Sequence, residues 1–156
     1  MTRAIRWVAT AAGLRSLWLA CGLVLALAPA CGDSPSASAA ALPDAGPEFT
    51  LESDDKLLQL QAYSAPFQPP TRGLSTVTLD ITNAKTGAPQ DGLVLDAVPW
   101  MPAHGHGTSV TTAVEAKAGG VYVVSRVNMF MGGKWDLRLG FSGAVTDRAT
   151  LHFSIP

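Results

Sequence analysis

The sequence predicts an all-β chain, an Ig-like antiparallel β-sandwich of about seven strands. Two observations carry that expectation. Large apolar residues recur at every second position through several short runs, the period of a half-buried strand. Between the runs lie turn-forming stretches with Gly and Pro, and no segment shows a convincing amphipathic helix.

Taken in order, the expected strands are Leu57–Tyr63, the row Val77, Leu79 and Ile81 set among Thr76, Thr78, Asp80 and Thr82, then Leu93–Trp100 and Ser109–Ala116. Val121–Met129 follows, then Trp135, Leu137, Leu139 and Phe141 alternating with Asp136, Arg138 and Gly140, and finally Leu151, Phe153 and Ile155. Ser64–Gly73, with Pro66, Pro69 and Pro70, reads as a connecting loop, as does Asn83–Gly92 with its Thr86-Gly87 pair. Asp54-Asp55 reads as a turn.

The region ahead of the strands has a different character. Residues 1–30 hold Arg3, Arg6 and Arg15 and no acid, and the apolar run Leu17–Ala28 follows these three arginines. That order is the n-region and h-region of a secretory signal, too short for a membrane span. The run ends in Leu27-Ala28-Pro29-Ala30-Cys31-Gly32, which resembles a bacterial lipobox. The resemblance implies cleavage before Cys31 and lipidation of its thiol. Cys21 after Leu19-Ala20 is the alternative, but it would leave the apolar stretch 22–28 on the mature protein. Residues 32–47, small and Pro-bearing, bury too little to fold and read as a flexible tether. The expected organisation is therefore a lipoprotein signal over 1–30, a lipidated Cys31 and linker over 31–47, and a sandwich domain over 48–156. Such a chain is exported and held in the bacterial cell envelope through a lipid anchor, on the periplasmic or outer-membrane face.

Composition removes several function classes. Of the 156 residues, 11 are basic and 12 acidic, and beyond residue 30 the balance is 8 against 12. No block of Lys or Arg supplies the attraction that nucleic-acid binding needs. Two Cys cannot make a disulfide-rich scaffold. No nucleophile motif such as G-x-S-x-G occurs, and the acidic pair Asp54-Asp55 has no aromatic groove beside it, so an enzyme is not expected.

Chemistry concentrates in Met101-Pro102-Ala103-His104-Gly105-His106-Gly107 and in Met129-Phe130-Met131-Gly132-Gly133-Lys134-Trp135. These two stretches hold two of the three His and three of the four Met. Imidazole and thioether together suit copper, the thioether favouring Cu(I). Carboxylates and thiolates, which calcium and Cys-rich zinc sites need, are absent from both. Reading Gly119-Gly120 as a two-residue hairpin turn sets Val110 opposite Met129, Thr112 opposite Val127 and Ala116 opposite Val123. Continuing that parity gathers His104, His106 and Met131 at one rim, with Met101 arriving from the strand that carries Leu93 and Leu95. Met129 and Met131 also fit an ordinary apolar row. Trp100 and Trp135 read as core residues, and His152 as a solvated side chain on a polar face.

The same residues, with Gly120-Val121-Tyr122 between them, resemble the YtkA-like domain family, whose members show MPxHxH, G-x-Y and M-x-G-x-W stretches in that order. The likeness spans roughly residues 50–156. It implies an exported or membrane-anchored Ig-like sandwich and a copper role for Met101, His104, His106, Met129 and Met131, with links to copper handling and cytochrome oxidase assembly. The expected function is copper chaperoning or sequestration with an envelope protein as donor or recipient. The alternative is a structural or protein-interaction module in which the His loop bonds only to backbone.

Overall fold

A computed structural model describes residues 42–156, so the expected signal, Cys21, Cys31 and most of the tether lie outside the described residues. Nine strands occur in chain order: β1 (Phe49–Glu52), β2 (Leu58–Ala65), β3 (Gly73–Asn83), β4 (Leu93–Met101), β5 (His106–Gly107), β6 (Ala113–Ala116), β7 (Val121–Met129), β8 (Gly133–Gly143) and β9 (Asp147–Ile155). They form two antiparallel sheets, β1-β2-β3-β7-β6 and β5-β4-β8-β9. Stripped of β1 and β5, these orders are the ABED and CFG sheets of an Ig-like sandwich, with β5 as an added short strand beside C. No helix occurs among the described residues.

Period-two alternation is what builds the core. Leu58, Leu60, Val77, Leu79 and Ile81 point inward from one sheet, while Trp135, Leu137, Leu139, Phe141, Leu151 and Phe153 point inward from the other, all buried. Phe49 closes one flank edge-on to Phe153 at a centroid distance of 5.0 Å. Fully burying each such side chain is worth about 1.5–3 kcal/mol, so these rows dominate the stability of the domain.

Three expectations are corrected. First, the strand expected at Ser109–Ala116 is ordered as a strand only over Ala113–Ala116; the chain ahead of it belongs to the opposite sheet, where β5 pairs with β4. Pro99 on β4 has no N–H to give on that side, and the side chain of Thr112 instead donates to the Ala97 carbonyl at 2.6 Å. The chain therefore crosses from one sheet to the other between Gly107 and Ala113. Second, the β6–β7 hairpin closes around Ala118-Gly119-Gly120, with Lys117 N–H donating to Val121 O at 2.7 Å and Ala116 opposite Tyr122 rather than Val123. Gly119 and Gly120 both have positive φ, 80° and 78°. The extra loop residue slips the expected register by one. Third, Trp100 is half-buried on the outer face of its sheet, under the Arg138 guanidinium at 4.6 Å from the ring centroid.

A bulge in β7 shifts its inward parity. Opposite Ser75–Val77 of β3, β7 places Val127 and Val124, so two residues, Ser125 and Arg126, face the single Thr76. Arg126 takes φ 61°, a left-handed conformation that a side chain enters at a cost of about 1–2 kcal/mol. Before the bulge Tyr122 and Val124 point inward; after it, Val127 and Met129 do.

Candidate functional site

The stretch expected to carry chemistry folds as a hairpin turn at one end of the sandwich. Pro102, with φ already fixed, sits second in a turn closed by His104 N–H donating to Met101 O at 3.2 Å. Gly105 N–H donates to the same carbonyl at 3.0 Å, and Gly105 takes φ 66° before the chain returns as β5. Met101 then pairs with His106 across β4 and β5, so both side chains leave the same face of the sheet. Gly107 beside it cannot carry a side chain, because a Cβ there would lie 2.8 Å from the Pro99 carbonyl oxygen.

The two imidazoles come together. The His104 and His106 ring centroids lie 5.6 Å apart, with His104 exposed and His106 half-buried. Nδ1 of His106 lies 2.9 Å from the Gly107 carbonyl oxygen, which can only accept; Nδ1 is therefore the donor, and in the neutral ring Nε2 carries the lone pair. With metal–nitrogen distances of about 2.0–2.1 Å, two imidazoles bound through Nε2 at an angle near 120° hold their centroids about 5.5 Å apart. The observed spacing fits one shared ion.

The methionines divide. Met101 is 2% exposed, and its Cε fills the space a Cβ at Gly133 would need, only 2.8 Å away. Gly133 has φ 122°, so both its conformation and its missing side chain make room for this thioether. Met131 is half-buried against the core, and its carbonyl accepts the Trp135 indole N–H at 2.9 Å. Met129 is 1% exposed on β7, opposite Gly73, and is an interior residue of the other sheet. Among the described residues no three His, Cys, Asp or Glu side chains gather as a metal set.

Sequence reasoning passed over Phe130. Its ring lies 6.1 Å from that of His106 at an interplanar angle of 18°, stacked, and 5.6 Å from Trp135 edge-on. Phe130 is 47% exposed while Trp135 beneath it is wholly buried, so an aromatic column runs from the core to the His pair. Its position between two Met was the available signal. A cleft of about 470 Å³ borders the same turn, lined by Pro102, Ala103, Lys134, Asp136 and His152 among others. His152, expected to be merely solvated, places Nδ1 2.8 Å from Asp136 Oδ1.

The motif Gly120-Val121-Tyr122 lies at the other end of the sandwich and has structural work. The Tyr122 hydroxyl donates to Gln90 O at 3.0 Å and accepts from Leu93 N–H at 3.1 Å, joining the two sheets. Gly120 N–H donates to Asp91 Oδ1 at 2.8 Å, and its carbonyl accepts from Ile81 N–H at 2.9 Å.

A family model described as YtkA-like matches residues 58–140, and the chain belongs to that family. No curated protein matches the chain. No solved structure matches it either.

Proposed function

We propose that this YtkA-like protein binds copper at the His104–His106 turn and acts as a copper chaperone or copper-sequestering protein of the cell envelope, passing the ion toward or from an envelope partner such as an oxidase under assembly. One observation carries the reading: two imidazoles at a spacing suited to one ion, on a tight turn, above a thioether on the same face. His104 and Nε2 of His106 would hold the ion, and Met101 and Met131 are the thioethers that would join them. Met129, enclosed in the core, has the least access. Copper supplies thiophilic, ligand-exchanging binding there, which suits transfer between proteins.

The chain's own residues account for the rest. The Gly107 carbonyl fixes the His106 tautomer, Gly133 admits Met101, and the exposed His104 gives a partner's ligand a place to enter. Competitive titration of the chain with Cu(I) and Cu(II), beside a His104→Ala/His106→Ala variant, tests the reading. Stoichiometric binding lost in the variant supports it. Because protons compete with metal for imidazole, Cu(II) binding should fall through about pH 6, and Cu(I) should persist further where thioethers dominate. Absence of binding in the wild-type chain ends the copper reading and leaves a docking module, for which exposed Phe130 would be the anchor.

A further inference from the structure

Three of the four outer strands of the two sheets are short: β1 and β6 have four residues each and β5 has two. The fourth, β9, has nine and pairs only with β8. The direction of its backbone groups follows from the ladders. Ala144 N–H donates to Gly92 O at 3.1 Å, extending β4–β8 pairing in which even-numbered residues bond each other. Odd residues of β8 therefore bond odd residues of β9, and Arg148, Thr150, His152 and Ser154 turn their N–H and C=O groups away from the sheet. Arg148 confirms this, since its carbonyl accepts from Asp54 N–H at 2.8 Å. Among the described residues nothing pairs with the outward backbone groups of Thr150, His152 or Ser154. No bulge or interior Pro blunts this edge.

His152 stands at the centre of the open stretch. Its side chain is 75% exposed, and Asp136, its neighbour across β8–β9, accepts from Nδ1 at 2.8 Å. The carboxylate holds Nδ1 as the donor and leaves Nε2 without a partner among the described residues, the arrangement that orients metal-bound imidazoles.

We propose that β9 is the docking edge for a second copy of this chain, and that the two His152 imidazoles, set opposite each other by antiparallel β9–β9 pairing, hold one divalent cation between the copies. A two-fold axis at His152 pairs Thr150 with Ser154 of the second copy and satisfies all three open backbone positions on each side. Opposed residues in such a bonded pair have Cα atoms about 5.5 Å apart, within reach of one ion for two imidazoles. Centring the axis on Thr150 would instead oppose His152 to Arg148, two groups that carry like charge once the imidazole is protonated. The His-centred register avoids that conflict and completes a site that one copy cannot form. This inference does not rest on the copper reading.

The test uses Zn(II) as the probe and the chain carrying His104→Ala and His106→Ala, which removes the other imidazole pair. Sedimentation should show the protein mass doubling as half an equivalent of Zn(II) per chain is added, and returning to one copy with chelator. His152→Ala should abolish the doubling, and Asp136→Asn should weaken the Zn(II) dependence by about 10–100-fold. Thr150→Pro, which removes an N–H that has no partner within the chain, should block association while leaving the near-ultraviolet circular dichroism unchanged. A single-copy mass at excess Zn(II), or a dimer indifferent to either His152→Ala or Thr150→Pro, overturns the proposal. Zn(II) binding to a chain that stays single also overturns it.

Discussion

The two ends of this sandwich are built from the same strands and differ in almost every other respect. At the Tyr122 end polar groups are enclosed and matched: the Tyr122 hydroxyl bridges the sheets, Gly120 is wedged against the β3 backbone, and Asp147 is buried with four donors directed at it. At the His104 end the polar groups are presented: one imidazole exposed, another half-buried with a free nitrogen, and a phenyl ring stacked in the open. The contrast teaches where each kind of residue is spent. Buried hydrogen bonds at one end hold the sheets together, and at the other end the imidazoles are left exposed or half-buried.

Substitutions can break or sharpen that division. The largest effect should come from Gly120→Ala. A Cβ there would lie 2.3 Å from the Ile81 carbonyl oxygen, on a residue with φ 78°. Conformational strain plus the clash should lower stability by about 4 kcal/mol, read as the denaturant midpoint.

Asp147→Ala comes next, at about 2–3 kcal/mol, because it removes the carboxylate that accepts from the Ser53 hydroxyl, 2.5 Å away, and from the N–H groups of Asp55, Leu57 and Arg148. Burial alone would raise the Asp147 pKa. The Ser53 hydroxyl and those three N–H groups outweigh it and hold the carboxyl below its ordinary value. A depressed folded value means the stabilisation is complete above the unfolded carboxylate's pKa and is lost as pH falls through the folded one. The stability gap between wild type and Asp147→Ala should therefore be constant above about pH 5 and shrink on acidification below about pH 4. A gap that widens in acid would contradict the assignment.

Tyr122→Phe removes a bridging hydroxyl and leaves Leu93 N–H buried without its acceptor, so a loss of about 1–2 kcal/mol is expected in thermal unfolding. The smallest effect belongs to the other end. His104→Ala with His106→Ala should change stability by less than about 1 kcal/mol while removing the proposed copper binding. A double variant as damaged as Tyr122→Phe would show that the imidazoles serve the fold, and the division between the ends would fail.

Most of the sandwich was legible from alternation alone, because a strand buried on one face must repeat every two residues: Val121–Met129 has the expected bounds, and the rows around Leu79, Leu137 and Phe153 face inward as expected. The His turn was legible as a cluster, though the route to it was not. The sequence between Gly107 and Ala113 is rich in Thr and Ser, which give no alternation to reveal a crossing between sheets. The bulge was hidden for a related reason. Ser125-Arg126 contains no Gly to mark a positive φ, and only the pairing with Thr76 exposes the extra residue. Trp100 shows two cues in conflict: its size suggested the core, whereas its parity with buried Leu95 and Met101 placed it outside, and parity prevailed.

That extra residue in β7 has a consequence for how the protein can change. Because inward parity is reset between Val124 and Val127, deleting either Ser125 or Arg126 would restore plain alternation, with Tyr122, Val124, Val127 and Met129 all still facing inward. The bulge is therefore a place where the strand can lose one residue, and the left-handed backbone of Arg126 with it, without turning Met129 to the surface. The hairpin of Ala118-Gly119-Gly120 has no such freedom, since a Cβ at Gly120 would meet the Ile81 carbonyl oxygen at 2.3 Å.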